Sequence, residues 1–115
     1  MTHPLAPRDN LDLYRLVGGV FGRESQAADL CAAFEREWAA TTAWLTGVPR
    51  QRVLYLIWRQ PWLSVARDTY ISRMLGAAGW DTLPVLSSVR YPEVDLPSVA
   101  READIVLLSS EPYPF

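Results

Sequence analysis

Arg52-Val53-Leu54-Tyr55-Leu56-Ile57-Trp58 is an apolar run without glycine or proline, and Pro61 closes it. Every residue after Arg52 is Val, Leu, Tyr, Ile or Trp. A run this continuous predicts a strand buried on both faces, the usual state of a parallel strand in an α/β sheet. The loop 59–67 leads from it into a helical pattern. Ligands of open α/β sheets bind beyond the carboxyl ends of the strands. Arg59 and Trp62 therefore begin as binding candidates, and residues 53–57 as core.

Working outward, residues 104–108 (Asp-Ile-Val-Leu-Leu) predict a second buried strand. Residues 82–86 predict a short edge strand, where Pro84 is tolerated. Between these lie two helical patterns. In the first, Asp68 is the expected cap, Ile71, Met74, Leu75 and Ala78 form the apolar stripe, and Gly79 is the stop. The second, 96–103, has Pro97 in its first turn. Upstream, Asp9 or Asn10 is the expected cap of a helix that Gly22 ends, and Gly18-Gly19 offers a place for another backbone to approach. A second helix runs from Glu24 or Ser25 to about Thr46. Roughly 22 residues span ~33 Å, long enough to brace two bodies. Cys31, Trp38 and Trp44 are expected to pack along it.

The expected fold is α/β: a small parallel sheet flanked by helices, preceded by a long helix of the interdomain type. The division is 1–48, helical, and 49–115, a partial α/β lobe. Two or three strands leave edges and faces uncovered, so a partner chain, a swapped copy or a further lobe is expected to complete the sheet.

Composition narrows function. The 115 residues are 50% hydrophobic, with 11 basic and 13 acidic residues and a net charge of −2. No basic stripe points to nucleic acid. The single cysteine excludes an internal disulfide and a multi-cysteine metal site. No apolar run approaches the ~18 residues of a membrane span. The first nine residues lack the charged and apolar regions of a secretory signal, which predicts either a cytosolic chain or one that is not the full precursor.

Catalytic chemistry finds little support. His3 is the only histidine, so no Ser-His-Asp or Cys-His arrangement is available. Gly18-Gly19-Val20-Phe21-Gly22 follows a helical pattern rather than a strand, the wrong context for a phosphate loop. No enzyme, cofactor or metal site is expected, and the weaker enzymatic reading relies on Glu111. Binding is better supported. Three loops leave the expected carboxyl edge of the sheet: 59–67, 87–94 and 109–115. They carry Arg59, Trp62, Arg67, Arg90, Tyr91, Glu111 and Tyr113. Aromatic rings beside guanidinium groups suit a large, flat, partly anionic ligand. The plainer alternative is that Trp62 and Tyr91 merely cover strand ends.

Leu56-Ile57-Trp58-Arg59-Gln60-Pro61-Trp62, the segment 68–80, Arg90-Tyr91-Pro92-Glu93-Val94 and the segment 103–112 together resemble the cobalamin/ferric-siderophore class of periplasmic substrate-binding proteins, which serve ABC importers. The resemblance covers nearly the whole chain and corresponds to the back half of a two-lobed protein, with the first lobe absent. It implies a periplasmic protein that captures a corrinoid, haem or ferric siderophore and delivers it to a membrane permease. It also implies ligand contacts from 59–62 and from the aromatic residue before Pro92, giving Arg59, Trp62, Arg90, Tyr91 and Glu111 as the expected ligand-binding set. The class carries a permease-contacting glutamate five residues after the Pro92 position, where this chain has Pro97. The alternative expectation is a non-transporting α/β module that self-associates as a swapped dimer or larger homo-oligomer.

Overall fold

The structure, a computed structural model, describes residues 3–111 and 115. Tyr113, carried by the loop after the last strand, lies outside them. The chain forms two compact units that divide between Val48 and Pro49.

The first unit is helical. Residues Pro7–Asp9 form a 3-10 turn, then come α1 (Asn10–Val20) and α2 (Glu24–Leu45). Asp9 does not cap α1 with its side chain. Its carboxylate turns back instead and accepts from the amides of Leu5 and Ala6 at 2.8 and 2.9 Å. Gly22, at φ +62°, makes the reversal in a conformation that glycine adopts without steric cost. Gly18 provides the close approach: the Arg23 amide donates to its carbonyl at 2.6 Å, and a Cβ there would sit 2.5 Å from that of Ala27. Leu11, Ala27 and Cys31 are buried, and Cys31 Sγ lies 3.7 Å from the Leu11 carbonyl. Trp38 stacks on Phe34, and the Arg8 guanidinium lies over its ring while pairing with Glu35. Trp44 departs from expectation. It is 73% exposed, as part of a stretch of α2, residues 39–44, that is exposed throughout.

The second unit is a three-stranded parallel sheet in the order β2-β1-β3, with β1 Gln51–Leu56, β2 Trp80–Leu83 and β3 Ile105–Leu108. Helices α3 (Tyr70–Ala77) and α4 (Leu96–Glu102) make the crossovers. Since β1 is central, the two crossovers run in opposite directions, and a common right hand puts the helices on opposite faces. The contacts agree. The Ser72 hydroxyl of α3 bonds that of Thr82, the register mate of Val53. From α4, Leu96, Val99 and Ala100 pack against Leu54, Leu56 and Val94. Val53, Leu54 and Leu56 are therefore buried from both sides of one strand, as the apolar run requires.

Four details differ from the sequence reading. The central strand ends at Leu56, because Ile57 and Trp58 enter a reversal in which Ile57 N donates to Leu63 O at 2.9 Å. The edge strand starts at Trp80, directly after Gly79 (φ +92°), and ends before Pro84. Thr69, not Asp68, caps α3: its hydroxyl accepts from Ser72 N at 3.2 Å. And β3 is not fully buried. Val106 and Leu108 are 44% and 58% exposed: they share a face with their register mates Leu54 and Leu56, and at the edge of the sheet that face is only partly covered.

Candidate functional site

Parallel strands send all their carboxyl ends to one edge, so the segments after β1 and β3 emerge together. The segment after β1 is held by a ladder to the loop before α4. Val94 N donates to Trp62 O at 2.9 Å, Ser64 N to Pro92 O at 2.9 Å and Ala66 N to Arg90 O at 2.8 Å. Two loops that look separate in the sequence thus form one antiparallel pair. Extended backbone sends successive side chains to opposite sides. Pro92 and Val94 consequently face inward and are buried, while Tyr91 and Glu93 face outward and are exposed. Pro92 and Val94 are the anchors that turn Tyr91 to solvent.

Arg59 and Gln60 occupy the turn between β1 and this ladder, and both are exposed. Gln60 has φ +64° and precedes a cis peptide bond to Pro61. A positive φ at a residue other than glycine is uncommon, and such conformations cluster at ligand-contacting segments. Trp62 is half-buried. Its ring lies parallel to that of Phe115 at a centroid distance of 6.0 Å, and both rings pack against the Leu54–Leu56–Val94 cluster. One face of the indole therefore serves the fold.

Arg90 and Tyr91 are exposed, with half of the Tyr91 surface open to solvent. Glu111 follows the end of β3. Ser109 N donates to Leu56 O at 3.3 Å, tying this segment to the end of β1, and the Ser109 hydroxyl bonds the backbone of Glu111. The five expected binding residues thus lie on three segments, which backbone hydrogen bonds tie to the end of β1 or to the loop after it. Arg67 does not join them. Its Nε donates to Thr82 O at 3.0 Å, which carries the guanidinium back along the outer edge of β2.

Sequence reasoning passed over Ser64. It is fully buried, and its hydroxyl lies 2.9 Å from the carbonyl oxygens of both Tyr55 and Leu83. One hydroxyl hydrogen shared between two strand ends fixes the floor of the edge. The signal was present in the sequence: a lone hydroxyl among Leu63, Val65 and Ala66 must find a partner once buried.

Arg50 and Asp81 pair at the opposite ends of the strands. The Arg50 guanidinium donates to both Asp81 oxygens and to Gly76 O. These hydrogen bonds hold the Asp81 carboxyl below the usual range and raise the pKa of Arg50. The Asp104 carboxyl is lowered by accepting from the Arg52 amide and side chain. Both pairs close the amino-terminal end of the sheet. Among the described residues, no group of three or more His, Cys, Asp or Glu side chains is arranged to hold a metal ion. No helix among them is long and apolar enough to cross a membrane.

No protein-family model matches the chain, and no curated protein matches it in sequence. Solved structures do. The periplasmic vitamin B12 binding protein BtuF of Vibrio cholerae superposes with a TM-score of 0.82 at 14% identity, over 94% of this chain and 43% of that one. The fold is that of part of a periplasmic binding protein. S. aureus IsdE, complexed with heme, gives a TM-score of 0.71 at 17% identity over 88% of this chain and 40% of its own. An ABC-type Fe3+-hydroxamate transport system protein of Saccharomonospora viridis gives 0.67 at 21% identity over 87% and 35%. The chain spans about two fifths of the length of these three proteins. At these identities the likeness establishes the fold alone.

Proposed function

We propose that the chain is the back portion of an ABC importer's substrate-binding protein, acting in the periplasm, with residues 1–48 as its helical backbone and 49–115 as a partial lobe. Its ligand is a metal chelate: a corrinoid, haem or ferric siderophore. The work is capture and delivery to a permease, without chemistry on the cargo. The single observation that carries this reading is that exposed Arg59, Arg90, Tyr91 and Glu111, with half-buried Trp62, lie on segments that backbone hydrogen bonds tie to the end of β1 or to the loop after it. Exposed guanidinium groups and an exposed aromatic ring on these segments supply charge-assisted hydrogen bonds and a stacking face. Vitamin B12, heme and Fe3+-hydroxamate in the names of the structural neighbours support the same ligand classes. The test is a visible-absorbance titration of the chain with cyanocobalamin, haemin and a ferric hydroxamate. One chromophore should bind saturably, and Tyr91→Ala together with Arg90→Ala should weaken it about tenfold or more. Saturable binding unchanged in those variants refutes the site.

A second reading is favoured by β3. Among the described residues no strand pairs with its outer edge, and Val106 and Leu108 expose apolar surface on the face beside that edge. Such an edge pairs readily with another chain, and a homo-oligomer built on it is the alternative to transport. Light scattering across a concentration series discriminates: a monomer at all concentrations removes this reading.

A further inference from the structure

The helical unit leaves an apolar face of its own uncovered. Among the described residues, the buried apolar side chains of α1 and α2 are Leu11, Ala27 and Cys31. Beside them the two helices form an open groove of about 500 Å³, with Leu13, Val17, Phe21 and Leu30 in its walls and Arg23 as the one charged residue. Val20 and Phe21 are 70% and 72% exposed, and Leu16, Val17 and Leu30 about half. The surface follows from the sequence of α1. Leu13, Leu16, Val17, Val20 and Phe21 recur at spacings of three and four, which makes an apolar stripe on one side of the helix. Leu11 and Gly18 lie on the side that meets α2, so most of that stripe has no neighbour among the described residues.

The patch has the size of an interface. It exposes on the order of 500 Å², taking ~150–250 Å² for a whole aromatic side chain and somewhat less for an aliphatic one. A standard interface covers about 800 Å² on each partner, roughly two thirds of it apolar in homodimers. One such patch on each of two copies therefore supplies the apolar share. The charges beside it are self-complementary. Arg23, the cap residue of α2, and Glu37 stand seven residues before and seven after Leu30, two turns away in each direction along one stripe. Both are exposed, and neither side chain has an ion-pair or hydrogen-bond partner among the described residues. At 1.5 Å per residue they are ~21 Å apart, too far to pair within one copy. A two-fold axis through Leu30 runs α2 antiparallel to its copy and seats each Arg23 opposite the second copy's Glu37. A parallel pairing would set Arg23 against Arg23.

We propose that a second copy of this chain docks on the α1–α2 face, antiparallel about a two-fold axis at Leu30, so that the two helical pairs form a four-helix arrangement closed by two Arg23–Glu37 pairs. The surface is distinct from the outer edge of β3, and the proposal rests on neither reading of function given above. Its test is light scattering across a concentration series of the full chain and its variants, with circular dichroism to show that each variant keeps its helix. The wild-type chain should dimerise with a dissociation constant on the order of 10 μM. Leu30→Glu, which sets two like charges at the axis, should leave only monomer. Glu37→Arg and Arg23→Glu should each weaken the dimer about tenfold, and the two together should restore most of it, because each exchanged charge again meets its opposite across the axis. Leu108→Glu on β3 should leave the dimer unchanged. A wild-type monomer at every concentration overturns the proposal. So does a dimer that Leu108→Glu abolishes, one that Glu37→Arg leaves equally strong, or one that the double exchange fails to recover.

Discussion

Gly18 and Gly19 are adjacent residues of α1, and the same substitution should act on them with opposite sign. Alanine in place of glycine within a helix gains roughly 1 kcal/mol of helix propensity. At Gly19 nothing lies within 4 Å of the added Cβ, so only the gain applies. Near the helix end, stabilisation of ~0.5–1 kcal/mol is expected. At Gly18 the new Cβ would lie 2.5 Å from the Ala27 Cβ and 3.1 Å from the Arg23 carbonyl oxygen. Neither neighbour is the tip of a flexible side chain, so α1 and α2 must separate. Overpacking of this kind costs ~1–3 kcal/mol. With atoms this close the upper half of that range applies, and after the propensity gain the net loss is ~1–2 kcal/mol. Denaturant unfolding followed by far-ultraviolet circular dichroism reads both variants, and the two midpoints should fall on either side of wild type. Pairing Gly18→Ala with Ala27→Gly removes the closest contact and should recover part of the loss, giving a coupling of ~0.5–3 kcal/mol. A Gly18→Ala protein as stable as wild type, or more so, would refute the close helix approach.

Three further outcomes are expected. Leu54→Ala removes a fully buried side chain from the centre of the sheet and should cost ~3–5 kcal/mol in equilibrium unfolding, whereas Leu108→Ala on the exposed edge should cost ~1 kcal/mol or less. Ser64→Ala withdraws the one hydroxyl shared by the Tyr55 and Leu83 carbonyls and should destabilise by ~1–3 kcal/mol, with faster amide hydrogen exchange at the ends of β1 and β2. Asp81 titrates below its unfolded value when folded, so its pairing with Arg50 stabilises at neutral pH and is lost as pH falls from about 3.9 through the folded pKa. Both partners are about a third to a half exposed, which limits the effect to ~0–1 kcal/mol. Stability curves of wild type and Asp81→Asn should therefore converge below that range and differ above it. A gap that persists at the lowest pH would show that Asp81 acts through something other than its charge.

The candidate site was legible in outline. Residues 59–62 and 90–91 stand out because Pro61 and Pro92 break extended segments, and aromatic and guanidinium side chains sit beside both breaks. That Tyr91 faces solvent follows from inward Pro92 and Val94, an alternation readable once the segment is known to be extended. Two things were not legible. The stack of Trp62 on Phe115 joins residues 53 positions apart, and no local pattern encodes such a contact. The return of Arg67 to the Thr82 carbonyl depends on β2 being an outer strand with an unpaired carbonyl to offer.

By itself the sequence determined the kind and order of the elements. An unbroken apolar run predicts a strand covered on both sides, amphipathic runs between strands predict crossover helices, and Gly22, Gly47 and Gly79 mark reversals that need positive φ. These are short-range consequences of side-chain shape and backbone sterics. Tertiary structure alone decided which strand lies in the centre, hence that Ile105–Leu108 is a half-exposed edge. Burial depends on which neighbours arrive, and an Ile-Val-Leu-Leu segment carries the same apolar surface whether one strand pairs with it or two.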